Sequence, residues 1–138
     1  MQQKDYLLME IEKIGQILKA IRQKLFGGND NISINTTKQA DDAKDLLLNG
    51  LGLNLDDFVR LNLDETIVYL NTLKGFNVEN VEQLAECVSI IGFDSQNKQS
   101  KNYLEKALQL YQLCNVNSKT YSMERERNII TIENALHS

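Results

Sequence analysis

The sequence predicts an all-α fold of antiparallel helical hairpins with a long N-terminal helix, and three observations carry that prediction. First, two apolar sets with helical spacing follow one another: Val81, Leu84, Ala85, Val88 and Ile91, then Leu104, Ala107, Leu108, Tyr111 and Cys114. Such spacing puts each set on one side of a helix, and Gly92-Phe93-Asp94-Ser95 separates them, so the pair reads as a hairpin. Second, Leu7, Ile11, Ile14, Leu18, Ile21 and Leu25 recur at steps of 4, 3, 4, 3 and 4. Third, Asn54-Leu55-Asp56-Asp57 and Asn62-Leu63-Asp64-Glu65 each place an asparagine three residues before a carboxylate, as a helix N-cap does.

Taken in order, residues 5 to 26 read as one amphipathic helix. Asp5 can cap its start, Arg22 and Lys24 complement the dipole near its end, and Gly27-Gly28 supplies a left-handed exit. Gly15 inside it costs about 1 kcal/mol relative to alanine, which makes sense where another helix passes close. Residues 27 to 35, rich in Gly, Asn and Asp, form a loop. A helix follows from about 37 to 49, with Ala40, Ala43, Leu46 and Leu47 inward, Gly50 at its end, and Asp41, Asp42 and Asp45 on a solvated face.

The two asparagine caps start a short helix over 55 to 61 and a longer one over 63 to 74. Ile67, Leu70 and Leu73 give the longer helix its inward face, and Gly75 ends it. Asn80 repeats the capping pattern ahead of the central hairpin. Asn117 or Ser118 starts a last helix running to Leu136, with Tyr121, Asn128, Ile132 and Ala135 on one side and Ile129 and Leu136 beside them. The helical array thus runs from about 37 to 136, and residues 1 to 138 make one domain.

Composition narrows the function classes. With 42% hydrophobic and 25% charged residues the chain folds rather than remaining disordered. A formal net charge of −4 with dispersed basic residues argues against a nucleic-acid partner, because phosphate binding needs a clustered Lys/Arg surface. No apolar run approaches the roughly 20 residues that span a bilayer, and the first residues lack a signal peptide's basic start, so no membrane association and a cytoplasmic location are expected. Cys87 and Cys114 fall inside helices without metal or Cys/His spacing and read as reduced packing residues. His137 is the only histidine, and no phosphate loop, nucleophile elbow, calcium loop or zinc pair occurs. No catalytic residue, metal or cofactor is expected, and the chain does not read as an enzyme.

The segment Ser100-Lys101-Asn102-Tyr103-Leu104-Glu105-Lys106-Ala107-Leu108-Gln109-Leu110 resembles the second helix of a tetratricopeptide repeat. In that family's 34-residue frame Leu84, Cys87, Val88 and Ile91 take the packing positions. Val88 stands where a small residue is usual, Ser100 where alanine is usual, and the closing proline is missing. The resemblance implies antiparallel helix pairs in a right-handed stack whose concave side holds peptides or proteins; an irregular helical bundle is the other architecture the pattern allows. The chain ends, Asp5-Tyr6-Leu7-Leu8 with Ile11 to Gly15 and Tyr121 to Arg125, also resemble small helical bacterial proteins of uncharacterised function.

The function expected is therefore a protein–protein interaction or scaffold module that binds a protein or peptide. Leu7, Ile11, Ile14, Leu18 and Ile21 form either a homodimer seam along the N-terminal helix or a stripe laid on the chain's own core. Tyr103, Tyr111, Arg125 and Arg127 are further contact candidates, because aromatic and Arg side chains dominate interface hot spots. Tyr111 reads equally as core, and the Arg/Glu run as a solvated face. The alternative function is a small-molecule-binding regulatory domain with a pocket between helices.

Overall fold

A computed structural model of the chain describes residues 2–26, 36–94 and 98–137, and all regular structure among them is helical. The helices are α1 (Gln2–Phe26), α2 (Thr36–Leu51), α3 (Leu55–Phe58), α4 (Leu63–Thr72), α5 (Val78–Gly92), α6 (Ser100–Asn117) and α7 (Met123–Leu136). The loop expected over 27 to 35 lies outside the described residues, as does the Gly27-Gly28 exit from α1.

Two of the predicted caps form as the sequence suggested. Asn54 Oδ1 accepts the Asp57 N–H at 3.2 Å, and Asn62 and Glu65 close a reciprocal capping box at 2.8 and 3.0 Å. Other boundaries move for local reasons. Asp5 is not a cap, since α1 already starts at Gln2. Gly50 stays inside α2, and the chain turns at Gly52, whose φ of 68° lets the last carbonyls bond back to Gly52 and Leu53 N–H groups. Helix α3 ends at Phe58 rather than Leu61 because the Arg60 and Leu61 N–H groups turn to carbonyls three residues back.

Asn77, not Asn80, caps α5, accepting the Asn80 N–H at 2.9 Å. That frees the buried Asn80 amide for a tertiary role: its Nδ2 donates to the Ile11 carbonyl at 2.9 Å and the Gly75 carbonyl at 2.7 Å. Ser118 ends α6 instead of starting the last helix, which Ser122 caps through the Arg125 N–H. Tyr121 consequently lies outside α7 and is exposed. Inward faces also rotate by one residue: Thr66 and Leu70 bury in α4 while Ile67 is exposed, and Ala40, Ala43 and Leu47 bury in α2 while Leu46 is exposed.

Partner atoms along each helix give the topology. The α5–α6 pair makes the most extensive contact and is antiparallel, Gly92 lying against Tyr103 and Leu104 while Cys114 Sγ points to the Val78 carbonyl. Helix α7 returns antiparallel to α6, joined through Arg125–Asn115 and Asn128–Tyr111. Helix α1 runs parallel to α5: Ile11 meets Asn80, Leu18 meets Cys87 and Arg22 meets Glu86. Helix α2 packs on α1, with Gly50 against Ile17. The packing order is thus α2–α1–α5–α6–α7, with α3 beside α2 and both α3 and α4 tied to α6 through Asp56–Tyr103 and Thr66–Lys106.

Two glycines permit the closest approaches of α1. A Cβ on Gly15 would lie 3.2 Å from Asn80 Oδ1. At Gly75, with φ of 125°, it would lie 2.9 Å from Ile14 Cδ1 and 3.0 Å from the Glu10 carbonyl carbon, so neither the backbone nor the space admits a side chain. This close seat decides the fate of the N-terminal stripe. Ile14, Leu18 and Ile21 are buried in the chain's own core together with Leu84, Ala85, Val88 and Ile91. Their side chains are covered by the chain's own core rather than left open for a second copy.

Candidate interaction surfaces

Of the residues singled out for partner contact, three others turn inward as well. Tyr103 is buried and its hydroxyl donates to Asp56, whose carboxylate also lies 3.3 Å from Lys44 Nζ. The Tyr103 hydrogen bond, helped by Lys44 and opposed by burial, holds the Asp56 carboxyl below its usual range. Tyr111 is buried with its hydroxyl taking a hydrogen bond from Asn128 Nδ2 at 3.3 Å. Arg125, only 5% exposed, staples three helices: Nη2 and Nε reach Glu82 Oε1 at 2.8 and 3.3 Å, and Nη1 reaches Asn115 Oδ1 at 3.1 Å. Arg127 is exposed, Leu7 is exposed and Ile11 is half-buried.

Lys106, which the sequence reading passed over, is 3% exposed. Its Nζ donates to the Leu61 carbonyl at 2.8 Å, Thr66 Oγ1 at 2.6 Å and Gln109 Oε1 at 2.6 Å, and it sits 5.3 Å from the Phe58 ring centroid. All three ammonium protons are used, so one lysine fastens the α3–α4 corner to α6. Burial pushes its pKa down to about 8. The group stays charged at neutral pH and has no free lone pair for chemistry.

The cysteines are equally closed. Burial raises the Cys87 thiol to about 12 and the Cys114 thiol to about 11, and both point at carbonyls. Neither supplies a thiolate at neutral pH. Among the described residues no group of three His, Cys, Asp or Glu side chains is placed to hold a metal ion, and no helix is long and apolar enough to cross a membrane.

The outside carries a set of open clefts and an exposed apolar helix end. A polar cleft of about 460 Å³ lies between α2 and α3, lined by Asp41, Lys44, Asp45, Asn54 and Asp56 with Leu48 and Leu55. An apolar groove of about 420 Å³ runs along α6 beside the start of α4, lined by Leu63, Leu108, Leu113 and Val116 with Glu105, Gln109 and Gln112 at its edges. A cleft of about 200 Å³ lies between α5 and α7 over Tyr111.

The helix end is the first two turns of α1. Every described side chain from Lys4 to Met9 is exposed, while Glu10 lies against Gly75 and the Ile11 carbonyl accepts from Asn80. Tyr6, Leu7, Leu8 and Met9 are four successive apolar residues with exposures between 44% and 67%. Successive side chains advance by about 100° around a helix, so these four point in all directions rather than along one stripe. The run was visible in the sequence; the reading by stripe picked out Leu7 and left Tyr6, Leu8 and Met9 aside.

No protein-family model, no curated protein and no solved structure matches the chain.

Proposed function

We propose that this chain is a protein–protein interaction module that also pairs weakly with its own copy through the first two turns of α1. The observation that carries the reading is the exposed Tyr6-Leu7-Leu8-Met9 run in the first turns of α1. Scattered apolar side chains are normal on a protein surface, but a contiguous exposed set marks a place where another molecule docks. The chemistry of the buried groups supports binding rather than catalysis, since Lys106, Arg125 and both thiols are committed to internal partners.

The size of the tip sets the strength. Side chains fanned around a helix cannot all meet one partner face, so pairing two tips hides only part of their apolar area. The buried total falls below the roughly 1,200 Å² of a stable complex, and the pairing is transient. We further read α5–α6 as one tetratricopeptide-like unit and α7 as the first helix of a following one. The antiparallel succession of the three helices and the burial of Leu84, Cys87, Val88 and Ile91 support that reading.

Sedimentation velocity tests the self-pairing. Between roughly 10 µM and 1 mM the wild-type chain should show a reversible, concentration-dependent rise in mean mass, corresponding to a weak Kd in the upper part of that range. The Leu7→Lys/Leu8→Lys variant should stay monomeric with an unchanged circular dichroism spectrum. A wild-type chain that is monomeric throughout, or a variant that associates as well as wild type, contradicts the proposal.

A further inference from the structure

We propose that the α5–α7 cleft is a docking site for a protein segment that presents a basic side chain beside an apolar one. Its volume of about 200 Å³ is below the roughly 300–1,000 Å³ of small-molecule pockets and suits one long side chain. Its floor is apolar: Ile90, Phe93, the buried Tyr111 and the buried Ile132 line it, and Phe93 is 46% exposed.

Its charge is one-sided. The lining includes the Glu86 and Glu124 carboxylates and no Lys, Arg or His. The neighbouring guanidinium groups are already engaged, Arg22 with Glu86 at 3.1 Å and Arg125 with Glu82 at 2.8 Å. Glu124 forms no ion pair among the described residues. Burial raises the Glu86 carboxyl, Arg22 offsets part of this, and the charges of Glu124 and Glu82 raise it further, so the carboxylates feel one another around the cleft. A cation entering here relieves that repulsion in a partly desolvated setting, while an apolar neighbour covers Phe93. A free amine would use the charge and leave the ring exposed, and an acidic or nucleic-acid ligand would be repelled.

The site is separate from the α1 tip. It rests on the reading of the chain as an interaction module only in that the occupant is a protein segment, and self-pairing can fail without touching it.

The probe is a fluorescently labelled synthetic peptide of alternating Leu and Arg, with Leu/Glu and Ser/Arg peptides as comparators, read by anisotropy at two salt concentrations. The Leu/Arg peptide should bind, more weakly at high salt, and the two comparators should not match it. Glu124→Gln should weaken binding about threefold and Glu124→Lys about tenfold, in line with a partly exposed ion pair. Glu133→Lys, the same charge change at another exposed site of α7, should leave it within about twofold. Thr131→Arg, which sets the chain's own cation at the cleft, should weaken binding without altering the start of α7. Equal binding of the Leu/Glu or Ser/Arg peptide, an equal effect of Glu133→Lys, or indifference to both Glu124→Lys and Thr131→Arg overturns the proposal.

Discussion

Lysine at both Ile14 and Ile21 unfolds the chain. Each isoleucine is buried in the core that α1 shares with α2 and α5. Each substitution forfeits about 2–3 kcal/mol of apolar burial and adds several more for an unpaired charge or for the neutralisation that avoids it. Together these exceed the roughly 5–15 kcal/mol that holds a domain of this size together. Far-UV circular dichroism should report loss of most helical signal, and urea titration should show no cooperative transition. The Leu7→Lys/Leu8→Lys variant is the counterpart on the same helix. Its transition should stay within about 0.5 kcal/mol of wild type, because those side chains are already in water. A folded Ile14→Lys/Ile21→Lys monomer would mean that the stripe is an interface between copies after all.

Replacing Lys106 has the next largest effect. Lys106→Ala removes a buried aliphatic stem, takes the ammonium from the Phe58 ring and takes the donor from three acceptors at once, for a loss of about 3–4 kcal/mol. Lys106→Met keeps the stem and should lose about 1–2 kcal/mol, since Leu61 and Gln109 are only partly buried and water can reach them. The two variants also separate packing from charge through pH. The folded-state pKa of Lys106 is lowered to about 8 from 10.5, so its charged form is penalised in the folded chain. Its contribution is fully present above 10.5 and is lost as pH falls through about 8, below which it is constant. The stability gap between wild type and Lys106→Met should therefore widen as pH rises from about 8 to 10.5. A gap that narrows would show that the three hydrogen bonds favour the ammonium more than burial penalises it.

How much of this was legible in the sequence depended on whether the signal was local. The Asn54 and Asn62 caps, the α5–α6 hairpin and the close approach at Gly15 follow from residues within one turn or from a rule about glycine, and they are as expected. The α5 cap moved because Asn77 and Asn80 both suit the role, and only the tertiary demand of Ile11 and Gly75 for the Asn80 amide chooses between them. Of the adjacent leucines expected inward in α2, Leu47 is buried and Leu46 is exposed, and in α4 Thr66 takes the inward position expected of Ile67. The buried threonine hydroxyl is satisfied by the Asn62 carbonyl and by Lys106, the latter 40 residues away in sequence.

The candidate contact residues went wrong for a related reason. Tyr103, Tyr111 and Arg125 are residue types that dominate interfaces, and they are also types that close polar networks inside a small helical domain. Composition does not distinguish the two uses. Partners such as Asp56, Asn128 and Glu82, each distant in sequence, do. Conversely, the exposed tip and the α5–α7 cleft involve Leu8, Met9, Glu86 and Glu124, none of which the helical spacing or the hot-spot residue types single out.

Amide hydrogen exchange along α1 tests most directly whether the helix divides into a core-forming part and an exposed, weakly associating tip. At low protein concentration the amides from Ile14 to Leu25 should exchange only through global unfolding, with protection that does not change on dilution, while those of Tyr6 to Met9 should exchange fast and gain protection as concentration rises. Protection that runs evenly along α1 and disappears on dilution would contradict the account, because it would place the whole stripe between copies of the chain.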